Sequence, residues 1–247
     1  CRELLHESGS IFVQMNDENL HLVRCLLDEV FGRENFVAVV AFRKTGSKAA
    51  KGLDSICDYL LWYTRNRESM KYRQLFSLTQ LGEGKAEQYN YIELPNGIRR
   101  KISEKDDLRK GNLFQAVAIT SQGWTESGSY IFEFAGKEYQ PPPNRHWSTS
   151  QEGLIRLARA ERIVSAGQTI RYVRYLDDYP VSPLTNIWHD TMGERDLLYA
   201  VQTNTKVIER CILMTTDPGD LVFDPTCGSG TTAYCAEKWG RRWITCD

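Results

Sequence analysis

The sequence predicts an α/β fold interrupted by an inserted segment of different character. Strand-like and helix-like segments alternate over residues 1–66 and again over residues 184–247. Between them, residues 67–183 form short polar pieces separated by Gly, Asn and Pro, without that alternation. We therefore expect the two ends of the chain to build the two halves of one core, with the middle third inserted between them.

Composition excludes several classes of protein. The chain has 247 residues, a formal net charge of −1 and 41% hydrophobic residues, which suit a folded domain with a real core. Its longest apolar run, residues 36–42, is far shorter than the roughly 20 residues that cross a bilayer. Seven cysteines without a C-x-x-C pair and four scattered histidines show no metal-ligand spacing. We expect a cytoplasmic protein with reduced thiols and no metal site.

The first stretch predicts a helix flanked by strands. Apolar residues recur at helical spacing from Leu20 to Phe31, Gly32 ends the helix, and Asn16 or Asp17 is placed to cap it. Residues 36–42 and 59–63 are almost continuously apolar, as strands covered on both faces should be.

Later elements follow the same reasoning. Thr149 and Glu152 have the spacing of a capping box before an amphipathic helix that contains Leu154. Apolar spacing over residues 207–212 predicts another helix, and residues 221–223, 231–239 and 243–245 predict a strand, a helix and a strand.

The strongest local signal is a glycine loop between a short strand and a helix. Such a loop lies at the carboxyl edge of an open parallel sheet, where ligands bind, and its glycines let a ligand approach the backbone. Asp247 follows Asp224 by 23 positions, about where a nucleotide-binding βαβ unit places the carboxylate that holds ribose hydroxyls. The loop residues are Asp224, Pro225, Thr226, Cys227, Gly228, Ser229, Gly230, Thr231 and Thr232.

The residues of the loop favour one nucleoside ligand. The third glycine of the dinucleotide fingerprint and the lysine of a phosphate-binding P-loop are both absent. Asp224 would repel a pyrophosphate but suits a ligand with an ammonium group, which indicates S-adenosylmethionine. Three alternatives stay open: a turn that binds nothing, a solvent-facing Asp247, and an oxidoreductase that uses a dinucleotide.

This loop resembles the cofactor motif of amino-methyltransferases that modify the exocyclic nitrogen of adenine or cytosine in DNA. Residues 9–18 and 28–36 are similar to the segment after the catalytic motif in the permuted, beta-type members, which include modification subunits of type III restriction systems. The resemblance implies an S-adenosylmethionine-dependent methyltransferase fold: a Rossmann-like sheet with circularly permuted motif order. It also implies that residues 67–183 form a target-recognition insertion.

The resemblance further implies an activity, although its catalytic tetrapeptide is missing. The activity would be methyl transfer to a flipped adenine, less favourably cytosine, within a restriction-modification system. Partners would be double-stranded DNA, a restriction subunit and a second copy of the chain. The tetrapeptide (Asp, Asn or Ser, then Pro-Pro and an aromatic residue) is expected upstream of Cys1, and Pro141, Pro142 and Pro143 are interpreted as a loop.

No catalytic residue is therefore assigned within residues 1–247, and we expect this chain alone to bind without turning over. A non-catalytic DNA-binding relative of the same fold is the alternative. In relatives, a Lys-Pro dipeptide opens the helix before the cofactor strand and lies near the methionine end of the cofactor. Lys206 is the matching residue here, or else an ordinary solvated lysine.

Local charge points to the insertion as the DNA-contacting part. Residues 97–112 hold six Lys/Arg against three acids, and residues 137–175 hold seven against three, although the whole chain is nearly neutral. Such asymmetry suits contact with phosphates. Any single arginine could instead be a solvated charge, and the tryptophan a core residue. The candidates are Arg145, Trp147, Arg156, Arg159, Arg171 and Arg174.

Overall fold

A computed structural model describes residues 1–44, 52–79, 88–104, 106–192 and 203–247. The chain divides into two units: unit 1 comprises Cys1–Ser77 and Pro183–Asp247, and unit 2 comprises Leu78–Ser182. In the described part of the chain, no helix combines the length and the apolar character needed to cross a membrane.

The elements of unit 1 and unit 2 follow in chain order. Unit 1 begins with β1 (Ser10–Met15), α1 (Leu20–Phe31), β2 (Phe36–Arg43), β3 (Cys57–Thr64) and β4 (Phe76–Leu78). The middle of the chain forms β5 (Tyr91–Glu93), β6 (Arg99–Lys101), β7 (Asn112–Ala118), β8 (Thr120–Gln122), β9 (Phe132–Phe134), β10 (Lys137–Tyr139), β11 (Arg145–Trp147), α2 (Gln151–Arg159), β12 (Ile163–Ala166), β13 (Thr169–Tyr175) and β14 (Val181–Pro183). Unit 1 then resumes with β15 (Ile187–Trp188), α3 (Thr205–Thr215), β16 (Leu221–Asp224), α4 (Thr231–Lys238) and β17 (Arg242–Thr245).

A four-stranded sheet forms the centre of unit 1, in the order β1-β3-β2-β15. Strand β3 is antiparallel to both of its neighbours, whereas β15 is parallel to β2. The sheet is therefore mixed, with two antiparallel pairs and one parallel pair. The prediction of an α/β fold is confirmed.

Both faces of this sheet are covered. On one face, Leu61 and Tyr63 of β3 pack with Leu27 and Phe31 of α1. On the other face, Val40 and Leu60 pack with Trp188 and with apolar residues of α3. Burial on both faces explains why β2 and β3 are almost continuously apolar in sequence.

The last part of the chain forms a separate parallel pair, β16 and β17, connected through α4. Ile212 of α3 packs with Cys235 and Ala236 of α4, and Val222 of β16 joins them. Helix α3 thus shares apolar contacts with both sheets of unit 1. The two halves of the predicted core are therefore joined by the parallel pairing of β15 with β2 and by the packing of this helix.

Two predicted helix caps are wrong by a few residues. The N-cap of α1 is Asn19, because residues 16–19 form a turn before the helix begins. The N-cap of α2 is Ser150, whose hydroxyl accepts a hydrogen bond from the Gly153 N–H at 3.2 Å. Glu152 points instead along the helix and pairs with Arg156. Ser150 satisfies one of the free N–H groups that every helix start presents.

Unit 2 contains a five-stranded antiparallel sheet in the order β12-β13-β7-β5-β6. Its cluster of buried residues includes Ile163 and Ile170 of the sheet, Leu154 of α2, and the aromatic residues Phe132 and Trp147. Most of its strands have only three or four residues, which explains the hairpin-like texture of the sequence.

Residues 67–77 belong to unit 1, so the first change of unit comes later than the predicted boundary at 66/67. Lys71 Nζ lies 2.6 Å from a carboxylate oxygen of Asp220 and 3.1 Å from one of Asp217, and Arg73 also pairs with Asp217. These ion pairs attach the segment to the turn before β16. Contacts so distant in sequence leave no local signal of where the boundary lies.

Candidate functional site

The glycine loop lies at the carboxyl end of β16 and leads directly into α4. Strands β16 and β17 are parallel and in register from Leu221↔Arg242 to Asp224↔Thr245. Strand, loop, helix and strand therefore form a βαβ unit whose loop sits at the edge where such units bind ligands.

Asp224 holds this loop in shape. One oxygen of its carboxylate accepts a hydrogen bond from the Thr226 N–H at 3.0 Å, and the other accepts from the Thr232 hydroxyl at 2.5 Å. The carboxylate thus connects the end of β16 with the first turn of α4. Hydrogen bonds to a charged group are worth about 1.5–3 kcal/mol each, so this side chain contributes strongly to the order of the loop.

Two glycines keep the inner side of the loop open. Gly228 has φ +47° and Gly230 φ +75°, values that other L-residues rarely adopt. A Cβ built on either glycine would find no atom within 4 Å, so no side chain fills the space beside them. A ligand can therefore reach the backbone here, next to the unbonded N–H groups of the first turn of α4.

The other loop residues are distributed around this open space. The hydroxyl oxygens of Ser229 and Thr231 are 2.9 Å apart, and Thr231 is buried. Pro225 and Thr226 are exposed, and Cys227 is half-buried.

Asp247 lies beside the loop although it is far from it in sequence. The Cys246 N–H donates to the Asp224 carbonyl at 2.9 Å, and the Cys227 N–H donates to the Cys246 carbonyl at 2.9 Å. The residue before Asp247 is therefore bonded to two loop residues, and the Asp247 side chain is exposed. The backbone bonds of Cys246 therefore bring Asp247 next to the loop that Asp224 begins.

Lys206 is held by an acidic partner. Its Nζ lies 3.0 Å from the Asp190 carbonyl oxygen and 3.2 Å from a carboxylate oxygen of Asp190. Arg210 contacts both carboxylate oxygens of the same residue, at 2.7 and 2.9 Å. Burial raises the pKa of Asp190, but the hydrogen bonds from Arg210 and Lys206 outweigh it and leave that pKa below its usual value. Lys206 therefore ties the start of α3 to the end of β15.

Acidification should weaken this part of unit 1. The pKa of Asp190 is lower in the folded protein than in the unfolded chain, and the same holds for Asp220 beside Lys71. Their stabilisation is present above an unfolded pKa of about 3.9 and is lost as pH falls through the folded values. We expect the melting temperature to fall as the pH drops below about 4 and to keep falling until it has passed the lowered pKa values of the folded state. Asp190→Asn and Asp220→Asn should each flatten that dependence in thermal denaturation, and an unchanged slope in both would contradict the assignment.

A polar network at the ends of β1 and β3 was not foreseen from the sequence. Asp58 is 6% exposed and accepts from Gln14 Nε2 at 3.1 Å, with Lys44 Nζ also at 3.1 Å. Gln14 Oε1 accepts from the Thr203 hydroxyl at 2.8 Å, just before α3. The sequence offered one signal of this network: Asp58 is an acidic residue at the start of an otherwise apolar strand. A carboxylate buried there requires hydrogen-bond or ion-pair partners.

Trp147 is removed from the DNA-contacting candidates. It is 2% exposed, and its Nε1–H donates to the Tyr130 carbonyl at 2.8 Å within the core of unit 2. Although Trp147 lies beside basic residues in the sequence, its large apolar ring is buried in the core, where it removes the most surface from water. Trp124 is not among the DNA-contacting candidates predicted from the sequence, but it is 66% exposed on the same unit.

The five candidate arginines fall into two groups. Arg156 pairs with Glu152 on the same helix, so part of its charge is neutralised locally. The other four are exposed and have no carboxylate within 4 Å among the described residues. These four are Arg145, Arg159, Arg171 and Arg174.

The sequence of the chain is similar to DNA methylases. The family model N6_N4_Mtase, described as DNA methylase, matches residues 1–247. The type II methyltransferase M.EcaI of Enterobacter cloacae is 31% identical over 255 residues, covering 100% of this chain and 52% of that protein. The type III restriction-modification enzyme EcoP15I Mod subunit of Escherichia coli is 22% identical over 273 residues, covering 95% of this chain and 41% of that protein. The chain thus spans about half the length of these relatives or less.

Proposed function

The chain belongs to the N6_N4_Mtase family of DNA methylases, and on that premise we propose that it is part of an S-adenosylmethionine-dependent DNA amino-methyltransferase. The methyl group would be transferred to the exocyclic amine of a flipped adenine, with cytosine the less favoured base. One observation carries the proposal: an open glycine loop at the carboxyl end of a parallel strand, flanked by Asp224 and Asp247.

The residues at the loop fit an adenosine carrying a charged methionine. The space beside Gly228 and Gly230 is free of side chains, and the start of α4 offers N–H groups. Asp247 is exposed next to the loop and would accept the ribose hydroxyls. Two acidic side chains, and the absence of lysine from the loop sequence 224–232, disfavour a polyphosphate and suit a cation.

The residues of this chain would bind and orient the cofactor. S-adenosylmethionine, when bound, supplies an activated methyl group. Asp224 would keep the loop closed around the adenosine, and Asp247 would fix the sugar. The groups that aim the acceptor amine belong to the tetrapeptide, which residues 1–247 do not contain. We therefore expect cofactor binding without turnover from this chain alone.

Unit 2 would contact DNA and select the target. It carries the four exposed candidate arginines that have no carboxylate within 4 Å among the described residues, on β11, α2 and β13. Neutralising phosphates with arginine positions a protein on a duplex, and contacts with base edges then select sequence. The unit Leu78–Ser182 is accordingly our candidate for the target-recognition insertion.

Isothermal titration with S-adenosylmethionine tests the proposal directly. We expect saturable binding by residues 1–247, with a nicotinamide dinucleotide unable to compete. A chain extended upstream to include the tetrapeptide should bind as well and should methylate adenine in duplex DNA. If neither chain binds the cofactor, the proposal is wrong; if the extended chain retains DNA but never methylates it, a non-catalytic relative is favoured.

The names of the relatives suggest partners. One relative is a Mod subunit of a type III restriction-modification enzyme, so we propose a restriction subunit as a partner of the whole protein, along with a second copy of the chain. A substrate of double-stranded DNA would place the protein in the cytoplasm. Co-purification of the whole protein with the product of a neighbouring restriction gene would support the first partner.

A further inference from the structure

A shallow depression on unit 2 has the chemistry of an anion site. Its volume is about 170 Å³, roughly five to six times the share of liquid volume occupied by one water molecule. It lies where β7 passes into β8 and where β13 begins. The residues that line it are Ala118, Ile119, Thr120, Pro142, Arg145, Thr169, Ile170 and Arg171.

Arg145 and Arg171 approach the depression from two different strands. Arg171 of β13 lies opposite Ala118 of β7, whose small side chain leaves room beside the guanidinium. Arg145 opens β11, opposite Gln122 of β8. Two strands of separate sheets thus bring two positive charges to one concave surface, and no acidic residue is among those that line it.

Each guanidinium is anchored by one hydrogen bond to a backbone carbonyl. Arg145 Nη2 donates to the Thr120 carbonyl at 3.0 Å, and Arg171 Nη1 donates to the Ala116 carbonyl at 3.2 Å. An arginine has five N–H donors, so most of them stay available in the described surroundings. Anchoring fixes the side-chain direction and reduces the entropy lost when a ligand binds.

Several other arginines of unit 2 already have acidic partners. Arg99 pairs with Glu93, Arg100 with Asp106, and Arg162 with Asp178. A larger cavity of about 310 Å³ on the same unit is lined by Glu93, Arg99 and Glu161, so its arginine is already neutralised. Of the four exposed candidate arginines that have no carboxylate within 4 Å among the described residues, Arg145 and Arg171 are the two that line the depression.

We propose that Arg145 and Arg171 together bind one phosphodiester group of the DNA backbone in this depression. The proposal rests on the proposed function, which makes DNA the substrate. An oxyanion would accept hydrogen bonds from both guanidinium groups, and Thr120 and Thr169 add two further polar residues to the lining. The contact would fix the register of unit 2 on the duplex without reading sequence.

The test measures the salt dependence of duplex binding by the full chain. For B-DNA, log K falls with log salt concentration by about 0.9 per neutralised phosphate. Arg145→Gln and Arg171→Gln should each weaken binding to all sequences alike, and the double variant should reduce the slope by about one. Arg33→Gln is the matched control, because it removes an exposed arginine that lies 3.7 Å from an Asp28 carboxylate oxygen in unit 1, outside the proposed DNA-contacting unit, and its slope should stay at the wild-type value.

Further variants and ligands distinguish a phosphate contact from loss of folding and from failure of the proposed function. Arg145→Lys with Arg171→Lys should retain most of the slope while lowering affinity, since lysine keeps the charge but loses the planar fork. A wild-type slope in the double Gln variant, with an unchanged melting temperature, would overturn the proposal. A second result would also overturn the proposal: inorganic phosphate raises the melting temperature of the wild type but not of the double Gln variant, while the wild type fails to bind the duplex. Titration of the same variants with S-adenosylmethionine reports the proposed function separately, and all of them should bind it as the wild type does.

Discussion

Trp147→Ala should destabilise unit 2 by about 3–5 kcal/mol, which is the usual cost of removing a large buried aromatic side chain. Trp147 is 2% exposed, and its ring lies 6.3 Å from that of Tyr130, whose carbonyl accepts the indole N–H. The substitution would leave both a cavity and an unsatisfied buried carbonyl. Denaturant unfolding, followed by circular dichroism, measures the loss.

Trp124→Ala is the matched control for this prediction. It removes the same side chain from the same unit, but Trp124 is 66% exposed, so the effect should be within about 0.5 kcal/mol. Reduced DNA binding by Trp147→Ala is then expected only as a consequence of unfolding. If both variants unfold at the same denaturant concentration, or if Trp147→Ala loses DNA binding while fully folded, the core assignment is wrong.

The two tryptophans also show where sequence reasoning stops. The excess of positive charge within residues 137–175 is visible in the sequence, because charge can be counted without knowing the fold. Which aromatic residue of unit 2 is buried depends on strand pairings between segments far apart, such as β8 with β11. Trp147 is an aromatic residue within a basic stretch of sequence, which suggested DNA contact, but the fold buries it.

Short-range features of the core were predictable for the same reason. The strand, the glycine loop and the helix of residues 221–238 are adjacent in sequence, so one stretch contains both the elements and the spacing. The antiparallel direction of β3 and the network of Asp58, Gln14 and Thr203 depend on contacts across 44 and 189 positions. Periodicity contains no information about such partners.

Asp224→Ala should weaken S-adenosylmethionine binding by about a hundredfold, which corresponds to about 2.8 kcal/mol. The carboxylate accepts from the Thr226 N–H and the Thr232 hydroxyl, so its removal frees both ends of the loop. The loop must then be ordered when the cofactor binds, and that cost is subtracted from the affinity. Isothermal titration measures the change, and Asp217→Ala, in the turn before β16, is a control that should alter affinity little.

Asp224→Asn separates two roles of this carboxylate. From the sequence we expected its charge to attract an ammonium group, whereas the structure shows both of its oxygens ordering the loop. An amide can accept from the Thr226 N–H with its oxygen and donate to the Thr232 hydroxyl with its nitrogen, so the loop would keep its shape. If loop order is the main contribution, Asp224→Asn should recover most of the affinity that Asp224→Ala loses. If charge attraction dominates, both variants should bind equally weakly, and the wild-type affinity alone should fall as salt concentration rises.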